Sequence, residues 1–155
     1  MSLCPHTSPI LEFAQSYLMA QIIDSKSAYE FLNCKIRYDV EEVWVLALNS
    51  QLELIKDEMI FRGTVNECSV YPRDIFRFCI QSNSTSFVLA HSHTSQNCLP
   101  SENDLKFTKK IMLASQLLEI PMVDHLILTS NNHFSFADQN VFELIKKGKE
   151  KSLFL

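Results

Sequence analysis

Glycine is scarce in this sequence, and long apolar runs, paired cysteine motifs and an excess of basic residues are missing. Only two of the 155 residues are glycine and no segment is of low complexity, which argues against a disordered or linker-rich chain. No apolar run is long enough to cross a bilayer, and no basic region followed by an apolar stretch opens the sequence. We therefore expect one compact domain in the cytoplasm, with neither a membrane span nor a secretory signal.

The cysteines and the charge balance exclude further classes of protein. The five cysteines are scattered and never form a CxxC pair, which disfavours a disulfide framework or a thiolate zinc cluster. The formal net charge of −4 creates no field that attracts polyanions. The basic cluster "KKGKEK" at 146–151 falls where a terminal helix is expected to end, as a solvated helix end does. We therefore expect no direct binding to nucleic acid.

Apolar periodicity predicts an α/β fold. Helical spacing predicts helices that begin near Ser27, at Pro72 and at about Ser101, the last of them ending near Glu119. Apolar runs predict strands at 41–49, 52–63, 85–93 and 122–130, followed by a short strand "FSF" and a final helix "VFELIKK". The run "VWVLAL" is too continuous for a strand with one solvated face, which indicates a central strand covered on both sides.

Two histidines, a serine and an aspartate follow one another in "AHSHTSQNCLPSEND". His91 and His93 fall at the carboxyl end of a predicted strand, and Ser101 and Asp104 fall at the start of a helix. The last two have the spacing of a helix cap, and an exposed HxH pair needs no ligand. The alternative is a metal site, because alternate strand residues point the same way and a first-turn carboxylate supplies a third ligand. The combined spacing has a chance probability on the order of one in several thousand, which favours the metal site.

The whole pattern resembles the RadC family, a bacterial branch of the JAB/MPN domains that carry the JAMM metalloprotease motif. The segments "EMIFRGT", "YPRDIF" and "DHLIL", and Thr108 within the third helix, are also similar to RadC sequences. The resemblance implies a RadC-like JAB/MPN domain at 22–155 after an N-terminal tail or helix at 1–21. It further implies a three-layer α-β-α sandwich with the mixed sheet of cytidine-deaminase-like proteins.

The resemblance also implies an activity. The family's motif makes this chain a zinc-dependent metallohydrolase that cleaves amide or isopeptide bonds in a peptide or protein substrate. One zinc ion per chain would be held by His91, His93 and Asp104, and the hydroxyl of Ser101 would stabilise an oxyanion. Glu58 matches the glutamate that acts as general base.

Several features leave other interpretations open. Glutamate is often simply exposed on a strand, which is the alternative for Glu58, and Asp57 points to the opposite face if the strand is regular. RadC-like chains have Pro, Ser, Gly, Asp and Pro after the second histidine, whereas this chain has "TSQNC". Loss of that glycine removes an easy left-handed conformation, so the loop path is expected to change. Cys98 is expected to be a small hydrophobic filler, and His125 a packed core histidine.

Two other function classes are alternatives to the hydrolase. The altered loop favours a catalytically silent RadC-like module that acts through protein partners in DNA-repair or mobile-element processes. A nucleobase deaminase shares the zinc chemistry, but it needs HxE and PCxxC segments, and neither occurs. These residues specify neither a physiological substrate nor an oligomeric state.

Overall fold

A computed structural model describes residues 21–63 and 70–149, which form a mixed sheet with helices on both of its faces. The helices are α1 (Ser25–Asn33), α2 (Pro72–Gln81), α3 (Glu102–Leu118) and α4 (Val141–Lys146). The strands are β1 (Glu41–Leu48), β2 (Leu54–Gly63), β3 (Ser86–Ser92), β4 (Met122–Leu128) and β5 (His133–Ser135). The tail or helix predicted for 1–21 lies outside the described residues, except for Gln21, which forms an isolated bridge with Glu53.

The sheet has the strand order β2-β1-β3-β4-β5. Only the β3–β4 pair is parallel, and the other three pairs are antiparallel. Strands β1 and β2 form an antiparallel hairpin, and the central position predicted for β1 is confirmed, since it lies between β2 and β3. Burial of Val45, Leu46, Ala47 and Leu48 is complete, because helices cover both faces of this strand.

Two apolar layers flank the sheet and confirm the α/β sandwich. Strands β1, β3 and β4 turn one set of alternate side chains toward Ala28 and Leu32 of α1. The other set faces the remaining helices, including Ile75 of α2 and Ile111 of α3. Helix α4 packs Val141 on this second side, against Ile127 of β4 and Phe136. The three layers are therefore α1, the sheet, and α2 with α3 and α4.

Local side-chain chemistry sets the helix boundaries. Helix α1 begins two residues before the predicted Ser27, because the carboxylate of Asp24 is the N-cap and accepts a 2.7 Å hydrogen bond from the Ser27 amide. Pro72 occupies the first turn of α2, where its missing amide hydrogen is not needed. Glu119 ends α3 in the left-handed conformation, with φ of 55°. No helix in the described ranges is long and apolar enough to span a membrane.

Candidate metal centre

The end of β3 and the first turn of α3 bring His91, His93 and Asp104 together. Hydrogen bonding to β1 on one side and β4 on the other holds β3 extended as far as Ser92, so the two imidazoles project from the same face. The His91 Nε2 atom lies 3.2 Å from Asp104 Oδ1, and the His93 Nε2 atom lies 3.4 Å from Asp104 Oδ2. The two Nε2 atoms are 3.0 Å apart. Among the described residues, this is the group of side chains able to hold a metal ion.

The orientation of His93 is set by the loop that follows it. Its Nδ1 lies 2.7 Å from the carbonyl oxygen of Asn97, which can only accept, so Nδ1 carries the hydrogen and donates it. Nε2 of neutral His93 therefore presents an electron pair to His91 and Asp104. Burial alone would lower the pKa of His93, but bonds to Asp104 and Asn97 and the charges of Asp104 and Glu41 outweigh it and raise the pKa.

Asp104 is an ionised carboxylate in this arrangement. Burial opposes the charged form, but the protonated imidazoles of His91 and His93 and a hydrogen bond from Ser101 stabilise it more, so the pKa of Asp104 lies far below its usual range. When both rings are neutral with the hydrogen on Nδ1, two imidazole nitrogens and a carboxylate oxygen converge as electron-pair donors. Such a set could hold a metal ion, because imidazoles and carboxylates are ligand types that divalent metals accept in proteins.

Ser101 has the helix-capping role that its spacing to Asp104 predicts. It is the N-cap of α3, and its hydroxyl oxygen accepts a 3.2 Å hydrogen bond from the amide of Asp104. The hydroxyl hydrogen points to Asp104 Oδ2 at 2.6 Å, and the Ser101 amide donates to the same oxygen at 2.7 Å. The cap therefore also fixes the orientation of the carboxylate in the metal-ligand group.

Glu58 lies apart from this group. It pairs with Val45 of β1, which in turn pairs with Leu89 of β3, two residues before His91. Strand spacing puts the Cα atoms of Glu58 and His91 about 12 Å apart. The Glu58 side chain is 49% exposed, and its nearest described cation is Lys56, at 3.9 Å.

Asp57 points to the opposite face of β2, as the alternation predicts. Its carboxylate binds Lys35, just beyond α1, with a 2.8 Å distance between Oδ2 and Nζ. The side chain of Asp57 is only 5% exposed, so this pair is largely removed from solvent on the α1 side of the sheet. Asp57 therefore contributes to the packing of that layer and is remote from the metal-ligand group.

A carboxylate missed by the sequence analysis lies closer to the histidines. Val43 of β1 pairs with His91, so the antiparallel register places Glu41 beside His93. The next residue confirms the alignment, since the amide of Glu42 donates to the Ser92 hydroxyl at 2.9 Å. The charge of Glu41 contributes to the raised pKa of His93. Only the pairing of β1 with β3 reveals this proximity.

His125 is a second residue whose role the sequence analysis missed. It is completely buried in β4, as expected of a core histidine, but its Nε2 lies 2.9 Å from His91 Nδ1. Its Nδ1 lies 2.7 Å from the hydroxyl of Thr108, and its ring stacks on Phe136 with centroids 4.7 Å apart. Burial and the charge of His91 lower its pKa well below the usual value, so the ring is neutral. The parallel register of β3 and β4, which pairs Leu89 with His125, creates this contact.

The altered loop between the histidines and Ser101 contains a left-handed residue. Gln96, which stands where RadC-like chains have glycine, has φ of 60°. Its side-chain oxygen accepts hydrogen bonds from the amide and hydroxyl of Ser130, at 3.1 and 2.7 Å, which offset the backbone cost of about 1 kcal/mol. Cys98 packs against the cluster that includes Leu105, as the sequence predicted for a filler.

The fold and this group of ligands define an α/β domain of the JAB type with a candidate metal centre. The chain belongs to the RadC-like JAB domain family, whose model matches residues 22–141. The resemblance drawn from the histidine motif is thereby confirmed.

Several bacterial relatives are known by name. The chain is 43% identical to a UPF0758 protein of Actinobacillus succinogenes over 103 residues, and this matched segment is 66% of this chain and 47% of that protein. It is 37% identical over 139 residues to a UPF0758 protein of Pseudoalteromonas translucida, which covers 85% of this chain and 62% of that protein. A UPF0758 protein of Histophilus somni is 39% identical over 129 residues, or 83% of this chain and 56% of that protein. The chain thus spans less than two thirds of the length of these relatives.

Proposed function

We propose that this chain is a zinc-dependent metallohydrolase that cleaves amide or isopeptide bonds in a peptide or protein substrate. The observation that carries the proposal is the convergence of two imidazole nitrogens and one carboxylate within 4.8 Å of one another. His91, His93 and Asp104 would hold one ion, and three such ligands leave a fourth position open. When bound, the ion supplies Lewis-acid chemistry, since it polarises a carbonyl and lowers the pKa of a water molecule to about 7.

Proton transfer needs a carboxylate near this position. The base takes a proton from the attacking water and delivers it to the leaving amine, which requires hydrogen-bond reach or one bridging water. The register places Glu41 beside His93, whereas Glu58 lies across β1 and about 12 Å from His91 between Cα atoms. We therefore assign the base to Glu41, and Glu58 is the alternative that the family resemblance suggests.

Ser101 is proposed to stabilise the oxyanion of the substrate's tetrahedral intermediate. Its hydroxyl hydrogen now points to Asp104, so rotation about the side-chain bond is required to direct it at a substrate oxygen. The Ser101 amide continues to donate to Asp104 during this rotation and keeps the carboxylate in place. A donor already aimed at the oxyanion contributes about 3 kcal/mol to transition-state stabilisation, and the loss of the bond to Asp104 on rotation reduces the contribution of Ser101 below that value.

Metal content tests the ligand assignment. Elemental analysis of purified protein should give one zinc per chain for the wild type and much less for His93→Ala and Asp104→Asn. His133→Ala is the matched control, because this histidine is half-buried against Tyr29 and hydrogen-bonded to Ser25, away from the ligand group. Equal zinc content in all four proteins would show that the assigned site is wrong.

Hydrolysis is tested separately with zinc-loaded protein. Wild type, Glu41→Gln and Glu58→Gln are incubated with a pool of peptides and isopeptide-linked peptides, and products are identified by mass spectrometry. Glu41→Gln should lose activity by about a hundredfold or more, the usual contribution of a general base, while Glu58→Gln should retain it. The reverse pattern would assign the base to Glu58.

The second candidate is a catalytically silent module that acts through protein partners in DNA-repair or mobile-element processes. It is favoured by the exposed position of Glu58 and by the altered loop, in which Gln96 is tied to Ser130. Zinc bound at one per chain without cleavage of any substrate in the pool would favour this candidate over the hydrolase.

A further inference from the structure

Thr108 and His125 connect the backbone of α3 to His91 through three hydrogen bonds. The Thr108 hydroxyl oxygen lies 2.7 Å from the carbonyl oxygen of Asp104 and 2.7 Å from His125 Nδ1. His125 Nε2 lies 2.9 Å from His91 Nδ1. All three residues are at most 8% exposed, so solvent is largely excluded from competing for these bonds. We refer to them as the Thr108–His125–His91 series.

The direction of every bond in the series follows from its backbone end. The carbonyl oxygen of Asp104 can only accept, so it takes the single hydroxyl hydrogen of Thr108. The Thr108 oxygen must then accept from His125 Nδ1, which carries the one hydrogen of that neutral ring. His125 Nε2 is left as an acceptor, so His91 must donate to it from Nδ1.

The hydrogen on Nδ1 determines the state of the other ring nitrogen of His91, Nε2. With the hydrogen on Nδ1, the Nε2 atom of neutral His91 presents an electron pair toward His93 and Asp104, the form needed for metal coordination. His93 reaches the same state through a single bond to the Asn97 carbonyl. The reverse tautomer of His91 would place a hydrogen inside the ligand group.

We propose that Thr108 and His125 are positioning residues that hold His91 in the Nδ1-protonated tautomer and so prepare it to bind the metal ion. This inference rests on the proposed metal centre for its purpose, although the tautomer itself does not depend on metal. Stacking of His125 on Phe136 fixes the ring plane, and the hydroxyl of Thr108 selects which nitrogen donates. Partners of this kind typically change metal affinity by about ten- to a hundredfold when removed.

A pair of substitutions at Thr108 tests the hydroxyl without replacing any of the proposed metal ligands. Thr108→Val keeps the shape of the side chain and removes the hydroxyl, while Thr108→Ser keeps the hydroxyl as the matched control. Long-range proton–nitrogen NMR of metal-free protein at mildly alkaline pH reports which ring nitrogen of His91 is protonated. Wild type and Thr108→Ser should show hydrogen on Nδ1, and Thr108→Val should show a mixture of both tautomers.

Zinc affinity, measured by competition with a chelator, is the second readout. Thr108→Val should bind zinc about ten- to a hundredfold more weakly than wild type, and Thr108→Ser should stay within about threefold. An unchanged tautomer and affinity in Thr108→Val would overturn the proposal, and so would equal losses in both variants. If Thr108→Val does not fold, His125→Phe, which retains the aromatic stack, is expected to show the same two changes, and unchanged values would overturn the proposal.

Failure of the proposed function remains distinguishable from failure of this inference. Wild type that binds no zinc would remove the metal centre, yet the His91 tautomer in metal-free wild type and Thr108→Val would still decide whether the series operates. The opposite result is zinc binding together with a His91 tautomer that is the same in wild type and in Thr108→Val. The ligands would then be correct, and the positioning role would be wrong.

Discussion

Replacement of Ser101 by alanine should destabilise the protein even when no metal is present. The substitution removes the N-cap acceptor of the Asp104 amide, a loss of about 1 kcal/mol at most helix starts. It also removes the 2.6 Å bond from the hydroxyl to the Asp104 carboxylate, whose surroundings are partly exposed, so we add only about 0.5 kcal/mol. The expected loss is therefore about 1.5 kcal/mol in the free energy of unfolding.

Urea unfolding in the presence of a chelator measures this loss without any contribution from metal binding. With a denaturant slope of about 2 kcal/mol/M, the midpoint should fall by roughly 0.7 M. Ser101→Asn is the matched control, because asparagine caps helices about as well as serine and should restore stability to within about 0.5 kcal/mol.

The two variants also separate the structural role of Ser101 from its proposed catalytic role. Both should lose hydrolytic activity, because neither retains a hydroxyl that can rotate toward a substrate oxygen. Both should keep the ligands His91, His93 and Asp104, and therefore bind zinc. A change below about 0.3 kcal/mol in Ser101→Ala, or equal destabilisation of the two variants, would refute the capping argument.

Two further predictions concern buried carboxylates. Burial outweighs the hydrogen bond from Ser135 and raises the pKa of the Asp124 carboxyl from 3.8 to about 6. The folded chain therefore binds the Asp124 proton more tightly than the unfolded chain does, and the free energy of unfolding falls as the pH rises from about 4 to about 6. This loss amounts to about 3 kcal/mol, and Asp124→Asn should remove it. If unfolding in the presence of a chelator gave the same difference in stability between variant and wild type at every pH, the raised pKa of Asp124 would be refuted. The fully buried Glu42 binds Arg62 and the indole of Trp44. Unfolding followed by Trp44 fluorescence should show that Glu42→Ala lowers the free energy of unfolding by about 3 kcal/mol and that Glu42→Gln lowers it by less. Equal losses in the two variants would refute the contribution of the ion pair.

The elements of the fold were predictable wherever local chemistry determines them. The run "VWVLAL" predicts a strand covered on both sides, and β1 lies inside the sheet with α1 on one face and α2 with α3 on the other. Pro72 predicts the start of α2, and Ser101 predicts that of α3. The start of α1 was missed by two residues, because Asp24 and Ser27 both have capping side chains and only their mutual hydrogen bonds decide between them.

The histidine motif is a local pattern, so the sequence by itself determined the candidate ligand group and the family. His91 and His93 lie on one strand, Asp104 lies in the next helical turn, and their spacing survives in the folded site. The surroundings of that site were decided by tertiary structure. Pairing of β1 with β3 places Glu41 beside His93, and pairing of β4 with β3 places His125 beside His91. These contacts join distant parts of the chain, since Glu42 and Ser92 are 50 residues apart and His91 and His125 are 34 residues apart. Strand register is a property of the whole sheet, because it depends on which set of alternate side chains each strand buries against its neighbours. No local spacing in the sequence encodes it.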